Sequence, residues 1–292
     1  MNKNKILITG ASGFIGTHLI DELRKKNINF IGTSHSKSKE FNAINLSKDT
    51  KWDKLLNNCD TVIHLAGLAH KKYSKDDLIK INFEGSVKLI KEAVNSNVKK
   101  FIFVSSVAVT QDKSSPYGRV KSMIENELIK YSRKSEMSYV IIRPPLVYGN
   151  NAPGNFNLLV KLISIFPILP LGSLNNTMSV IGIRNFIEFI FFVTNSSKAN
   201  NNIFLISDLK NITVTSFIKK IANSKDKYII LISMNKSVLS FFASIFGFKQ
   251  KFEKITNTKS IDSSETYKYL QWYPKYSTED ELNQLKFSRK EI

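Results

Sequence analysis

Cysteine is nearly absent from these 292 residues: Cys59 stands alone, so no disulfide forms within the chain and no cysteine cluster can hold a metal. Histidine is scarce too. His18, His35, His64 and His70 show no ligand spacing with carboxylates, which leaves metal catalysis without support. Acidic residues number 24 against 43 basic ones, a formal charge of +19. Only six of the 43 are arginine, the side chain suited to bidentate phosphate and base contacts, and the lysines are scattered rather than striped. Nucleic acid is therefore not expected as a partner, although a basic surface attracts a small anionic substrate. Long apolar runs are missing as well. Phe186 to Val193 is too short to span a bilayer, and Tyr228 to Phe248 is broken by Asn235, Lys236 and Gly247. These two stretches are expected to be buried or substrate-covering helices, with peripheral membrane contact as the alternative. The first strand begins almost at once, without a charged leader and apolar core, so a cytoplasmic, reducing setting is expected.

What is present is an alternation of short apolar strands and helical patterns through the first half. Ile6 to Thr9, Phe30 to Thr33, Thr61 to Ala66, Phe101 to Ser105 and Tyr139 to Arg143 read as strands. Phe14 to Lys26, Lys51 to Asn57, Asp77 to Asn95 and Tyr117 to Ser135 read as helices. Buried strands alternating with helices predict an α/β fold with a doubly wound parallel sheet. After Arg143, prolines and glycines become frequent. The expected organisation is a dinucleotide-binding domain over 1–150, with strands from about 178–207 returning to it, and a smaller substrate-binding region over 151–292.

Thr9-Gly10-Ala11-Ser12-Gly13-Phe14-Ile15-Gly16 closes the first strand and opens the first helix. Gly10 suits a tight turn, Gly13 a close backbone approach to a pyrophosphate, and Gly16 close packing of helix on sheet, while the helix N-terminus offers amide donors. A dinucleotide is the expected ligand. Further along, Tyr117 and Lys121 are four apart on a helix and share one face. An ammonium beside the phenol is expected to lower its pKa and fit it for proton transfer at a carbinol or carbonyl oxygen. Ser105 and Ser106 end a strand at the carboxyl edge, where ligands bind in such sheets, and Ser106 is the expected holder of the substrate oxygen.

Together, Gly10-x-x-Gly13-x-x-Gly16 and Tyr117-x-x-x-Lys121 resemble the extended short-chain dehydrogenase/reductases that modify nucleotide sugars, the NAD-dependent epimerase/dehydratase family. The likeness runs along essentially the whole chain. Phe103 to Val109 resembles the strand bearing the catalytic hydroxyl, His64-Leu65-Ala66-Gly67 the strand beside the cofactor ribose, and Arg143 to Gly149 the turn after the sixth strand. Leu270-Gln271-Trp272-Tyr273-Pro274 resembles a C-terminal Leu-Gly-Trp-x-Pro element, with Gln271 in place of the glycine. The resemblance implies cofactor contacts from Gly10, Ser12, Gly13, Phe14, Ile15, Gly16, Ser34, Asn45, Leu46, Leu65, Ala66, Gly67, Tyr117, Lys121 and Pro144. It implies substrate contacts from Ser106, Tyr117, Asn155 and Phe156, with simple capping of a helix as the other reading of Asn155.

At the end of the second strand, Thr33 to Lys39 contains no carboxylate and several donors, which favours NADP(H) over NAD(H). The expected activity is reduction of UDP-2-acetamido-2,6-dideoxy-hexos-4-ulose at C4 for a surface polysaccharide, by a Ser106-Tyr117-Lys121 unit. A UDP-glucose 4-epimerase with retained NAD is the alternative, and an NADP-binding sensor without turnover a second one. Relatives that epimerise sugars often carry Asn where this chain has Leu146 and Arg where it has Met178. Arg184 is expected to meet a diphosphate or to form a surface salt bridge. The resemblance also implies a possible homodimer through the Tyr117 helix and the one before it.

Overall fold

The computed structural model describes residues 5–36, 39–69, 73–112, 114–245, 253 and 259–285. The chain divides into two compact units. The first comprises Met1–Pro145, Phe186–Ile206 and Ser263–Trp272; the second comprises Leu146–Asn185, Ser207–Asp262 and Tyr273–Ile292.

Apolar runs in the first unit form strands because both faces are covered, so nearly every residue along them can be hydrophobic. They are β1 (Lys5–Thr9), β2 (Phe30–Ser34), the two-residue β3 (Asn42–Ala43), β4 (Cys59–His64), β5 (Lys100–Val104) and β6 (Ser138–Arg143). With β11 (Asn202–Leu205) they make a seven-stranded sheet in the order β11-β6-β5-β4-β1-β2-β3, every pair parallel. The order reverses between β1 and β4, and the crevice at such a switch point is where ligands of open α/β sheets bind. In chain order the helices are α1 (Phe14–Lys25), α2 (Asp53–Leu56), α3 (Lys75–Asp77), α4 (Gly85–Asn95), α5 (Ala108–Gln111) and α6 (Pro116–Ser132). Between α3 and α4 the backbone runs as a π-helix over Leu78–Glu84, within the span expected to be plain helix. The core between sheet and helices contains Leu7, Trp52, Val62, Leu89, Phe101, Phe103, Ile124 and Leu128.

Short elements make up the second unit: β7 (Leu146–Tyr148), α7 (Asn155–Ile165), β8 (Ile168–Leu169), β9 (Thr177–Met178) and β10 (Val180–Gly182). Helix α8 (Ile183–Asn195) begins here, and its later residues belong to the first unit. Beyond β11 follow β12 (Ile212–Thr213), α9 (Val214–Ser224), β13 (Ile230–Leu231), α10 (Lys236–Ile245), α11 (Ser264–Leu270) and α12 (Thr278–Asn283). Val180–Gly182 does not return to the large sheet as expected; it pairs in parallel with β7 instead. Its fixed partner is Asp208, which receives the Gly182 amide and whose own amide donates to the Val180 carbonyl.

Of the two apolar stretches, the first forms the expected buried helix, with Phe186, Ile187, Phe189, Ile190 and Val193 inside. The Lys100 ammonium closes that helix by donating to the carbonyls of Val193, Thr194 and Ser196 at 3.0–3.1 Å. The described part of the second stretch differs from expectation: it is a short strand and a helix whose apolar side chains are largely exposed.

Candidate active site

All the positions expected to bind cofactor or move protons lie in the first unit. The turn after β1 needs its glycines. Gly10 has φ +73°, and a Cβ there would lie 2.9 Å from the Ala66 amide nitrogen; a Cβ on Gly16 would lie 2.3 Å from the Gly10 carbonyl oxygen. The turn is thus drawn tight between the ends of β1 and β4, and α1 starts with Gly13 in extended conformation and no side chain capping it. First-turn amides left without a side-chain acceptor are a ready anion site. Ser12 and Gly13 are exposed, and Phe14 and Ile15 half-buried, at that helix start.

Beside the turn, His64 is fully buried with Thr9 Oγ1 2.6 Å from Nδ1 and Ser86 Oγ 2.8 Å from Nε2. A neutral imidazole has one donor and one acceptor nitrogen, so the two hydroxyls satisfy it completely. Burial, with a smaller push from the Lys121 charge, lowers its pKa to about 3. The Thr9 hydroxyl also accepts the Ala66 amide, which fixes Leu65, Ala66 and Gly67 at the mouth of β4. Asn82, buried in the π-helical turn, completes that edge: its Oδ1 accepts from the Leu68 amide at 2.6 Å and its Nδ2 donates to the Leu68 carbonyl at 3.0 Å. Neither Asn82 nor Thr9 was among the expected site residues. The signal was available for Asn82, which falls on the same helical face as Leu78, Ser86 and Leu89, where an amide must find a partner.

Ser34 is buried, and its hydroxyl donates to the Ser36 carbonyl at 2.6 Å, so its hydrogen is already committed. Lys37 and Ser38 of the expected phosphate-binding loop lie outside the described residues, as does His70. Asn45 is exposed and its carbonyl accepts from the Thr50 hydroxyl, while Leu46 packs over Gly85.

Helix α6 starts where Ser115 caps it and Pro116 takes the first turn, a position that needs no amide donor. Tyr117 follows at once. One turn on, Lys121 is buried, donates to the Val104 carbonyl at 2.8 Å, and stands 4.5 Å from the Phe103 ring centroid and 5.9 Å from that of Tyr117. Another turn on, Glu125 is held by Arg143 of β6 through Nε at 3.0 Å and NH2 at 2.5 Å. This pair locks the helix to the sheet and adds a negative charge behind Lys121. The electrostatics correct one expectation: burial raises the Tyr117 phenol to about 12 rather than lowering it. Burial also lowers Lys121 to about 8, against the opposing pull of Glu125. The ammonium is turned toward a strand carbonyl, so desolvation outweighs its effect on the phenol.

Ser106 follows β5 and its Oγ accepts the Ala108 amide at 3.2 Å. The loop is tied to the end of β6 by the Val107 amide, which donates to the Pro144 carbonyl at 3.1 Å. Neighbouring Ser105 has a buried hydroxyl with no partner, an orphaned polar group beside the candidate catalytic hydroxyl. A tight glycine cradle, uncapped helix amides and this orphan hydroxyl form a donor set that fits a dinucleotide.

Asn155 and Phe156 belong to the second unit. Gly154, not Asn155, is the N-cap of α7, and no side chain caps that helix. Phe156 departs from expectation: it is buried, with its ring against Tyr148 and Phe217. Met178 is buried in β9, and Leu146 is half-buried in β7. Arg184 is engaged within its unit, through Nε to Glu281 at 3.2 Å, through NH2 to the Asp280 carbonyl, and over the Tyr276 ring. Beside it, Asp208 accepts from Tyr148 at 2.7 Å and Asn185 at 2.9 Å, a buried knot that sequence reading missed.

A model of the NAD dependent epimerase/dehydratase family matches residues 6–207. The UDP-glucose 4-epimerase of Vibrio cholerae is 30% identical over 96% of this chain and 93% of its own length. The N-acetyl-alpha-D-glucosaminyl-diphospho-ditrans,octacis-undecaprenol 4-epimerase of Escherichia coli O157:H7 is 28% identical, over 78% of this chain and 74% of that one. Among solved structures, UDP-glucuronic acid 4-epimerase from Bacillus cereus in complex with NAD superimposes with a TM-score of 0.77 at 21% identity, covering 96% of this chain and 97% of that one. UDP-glucose 4-epimerase from Thermotoga maritima, with UDP-glucose, gives 0.74 at 19% identity and 96% coverage of both chains. At these identities the two superpositions speak to the fold.

Proposed function

The chain belongs to the NAD dependent epimerase/dehydratase family, and we propose that it is a nucleotide-sugar 4-epimerase that keeps its NAD through the catalytic cycle. The Vibrio cholerae relative, named for 4-epimerisation and matched over nearly the whole chain, supports this above the reductase expectation. The observation in the site that carries it is the Ser106-Tyr117-Lys121 set, with Lys121 buried and anchored to the strand that leads to Ser106. NAD replaces NADP as the expected cofactor, because the Ser34 hydroxyl is committed to its own backbone and the family is NAD-dependent.

The glycine turn, the α1 amides and Leu65 to Gly67 would hold the dinucleotide, with Lys121 and Pro144 toward the nicotinamide end. When bound, NAD supplies the acceptor and donor of hydride at the sugar carbon and, in its oxidised form, a positive ring that favours the phenolate. Tyr117 takes the proton from the C4 hydroxyl, and returns it after the carbon has presented its other face. Ser106 donates to the same oxygen and fixes it in front of Tyr117. Lys121, with its proton shared to the Val104 carbonyl, stabilises negative charge on Tyr117 as it develops. Within the second unit, Asn155 is the residue proposed to meet the nucleotide-sugar.

The purified protein is expected to release NAD only on denaturation and to interconvert UDP-hexoses without consuming reductant. Tyr117→Phe should lower the rate by on the order of 10²–10⁴-fold with NAD still bound. Stoichiometric oxidation of added NADPH by a 4-keto sugar would establish the reductase instead, and bound NAD without turnover in wild type would establish the sensor.

A further inference from the structure

The second unit presents a set of large apolar side chains that are exposed among the described residues. Strands β8 and β13 pair in parallel with Ile168 opposite Ile230. Phe166 stands two residues before Ile168, and Tyr228 and Ile232 stand two residues to either side of Ile230. All five are exposed, from 46% at Ile230 to 84% at Tyr228, while Leu169 on the opposite face is buried. Four residues past Ile232, α10 begins. Val238, Phe241 and Ile245 fall on one face of it at i, i+3 and i+7, exposed, with Leu239 buried on the other. Soluble proteins rarely leave so many neighbouring large apolar side chains in water unless they bind something there.

The charge selects the occupant. Lys225 and Lys227 stand just before Tyr228, with one acid, Asp226, between them, in a chain of net charge +19. A second copy would bring like charge against like charge. An anionic lipid surface offers the complement: acyl chains for the aromatic and aliphatic side chains, and headgroup charge for the lysines. Among the described residues no helix is long and apolar enough to cross a membrane, so the contact belongs at the interface. We propose that the face formed by Phe166, Ile168, Tyr228, Ile230 and Ile232 seats this enzyme on an anionic bilayer. The inference is independent of which sugar is the substrate.

Sedimentation with phosphatidylcholine vesicles, with and without about a third phosphatidylglycerol, tests it. Wild type should pellet with the anionic vesicles, less so as salt rises. The Ile168→Glu/Ile230→Glu double variant and the milder Tyr228→Ser should each pellet less, the double variant by about tenfold or more. Turnover of a soluble UDP-hexose should be unchanged in both, which separates this surface from the catalytic reading. Equal pelleting of wild type and double variant would overturn the proposal. So would an absence of pelleting with either vesicle, or a wild-type dimer in light scattering that the double variant dissolves without any vesicle binding.

Discussion

Lys121 is a cation placed where water is excluded, and that placement has a cost which can be measured. Its pKa falls from 10.5 to about 8 on folding, a difference worth about 3 kcal/mol. Between those two values the unfolded chain holds a proton that the folded chain has lost, so stability rises with pH across that window. Below pH 8 the full penalty applies. Lys121→Met should therefore abolish turnover and yet raise the stability at pH 7 by roughly 1–3 kcal/mol, with the advantage over wild type shrinking toward pH 10 in calorimetry. Gln271 makes a smaller case of the same kind. It sits at the end of α11 with φ +54°, in the left-handed region that glycine enters freely, and it stands where the resembled C-terminal element has glycine. Gln271→Gly should stabilise by about 0.5–1 kcal/mol in chemical denaturation. At this scale the sequence was informative about which side chains are neighbours and poor about where they point. The i, i+4 spacing brought Tyr117 and Lys121 to one face, but nothing in it says that the ammonium turns to Val104 and that burial governs the phenol.

Elements position the site through a few polar ties across apolar packing. Arg143 on β6 and Glu125 on α6 form one of these in the first unit, with Glu125 almost fully buried. Removing the guanidinium leaves a buried carboxylate without a partner. Arg143→Met should cost about 3 kcal/mol and loosen the helix carrying Tyr117, read as a lower midpoint in urea together with a reduced rate. Strand and helix identities in the first half were legible, because continuous apolar runs mark strands buried on both faces. The edges moved by up to three residues, the end of α6 from Ser135 to Ser132 being the widest shift. The π-helical turn was not legible, since it changes the backbone hydrogen bonding without altering the apolar period, and its use is apparent only when Asn82 is seen gripping Leu68. The Val180–Gly182 strand was recognised as a strand but not by its partner, because pairing depends on the distant Asp208.

For the molecule as a whole, charge of one sign is the dominant long-range influence. At +19 the folded chain repels itself, and ions of the buffer screen that repulsion over about 10 Å at 0.1 M. The melting temperature should rise by a few degrees as sodium chloride increases from about 10 to 300 mM, the opposite of what a protein dependent on surface ion pairs would do. The chain also passes repeatedly between its two units, at residues 145, 185, 206 and 262, and again at 272. A fragment stopping near residue 150 lacks β11, the outer half of α8 and the Trp272 segment that packs on Phe189. During synthesis, then, the first unit cannot be completed until the chain has been made as far as Trp272. Neither unit, accordingly, can be expressed alone by cutting the gene at one point.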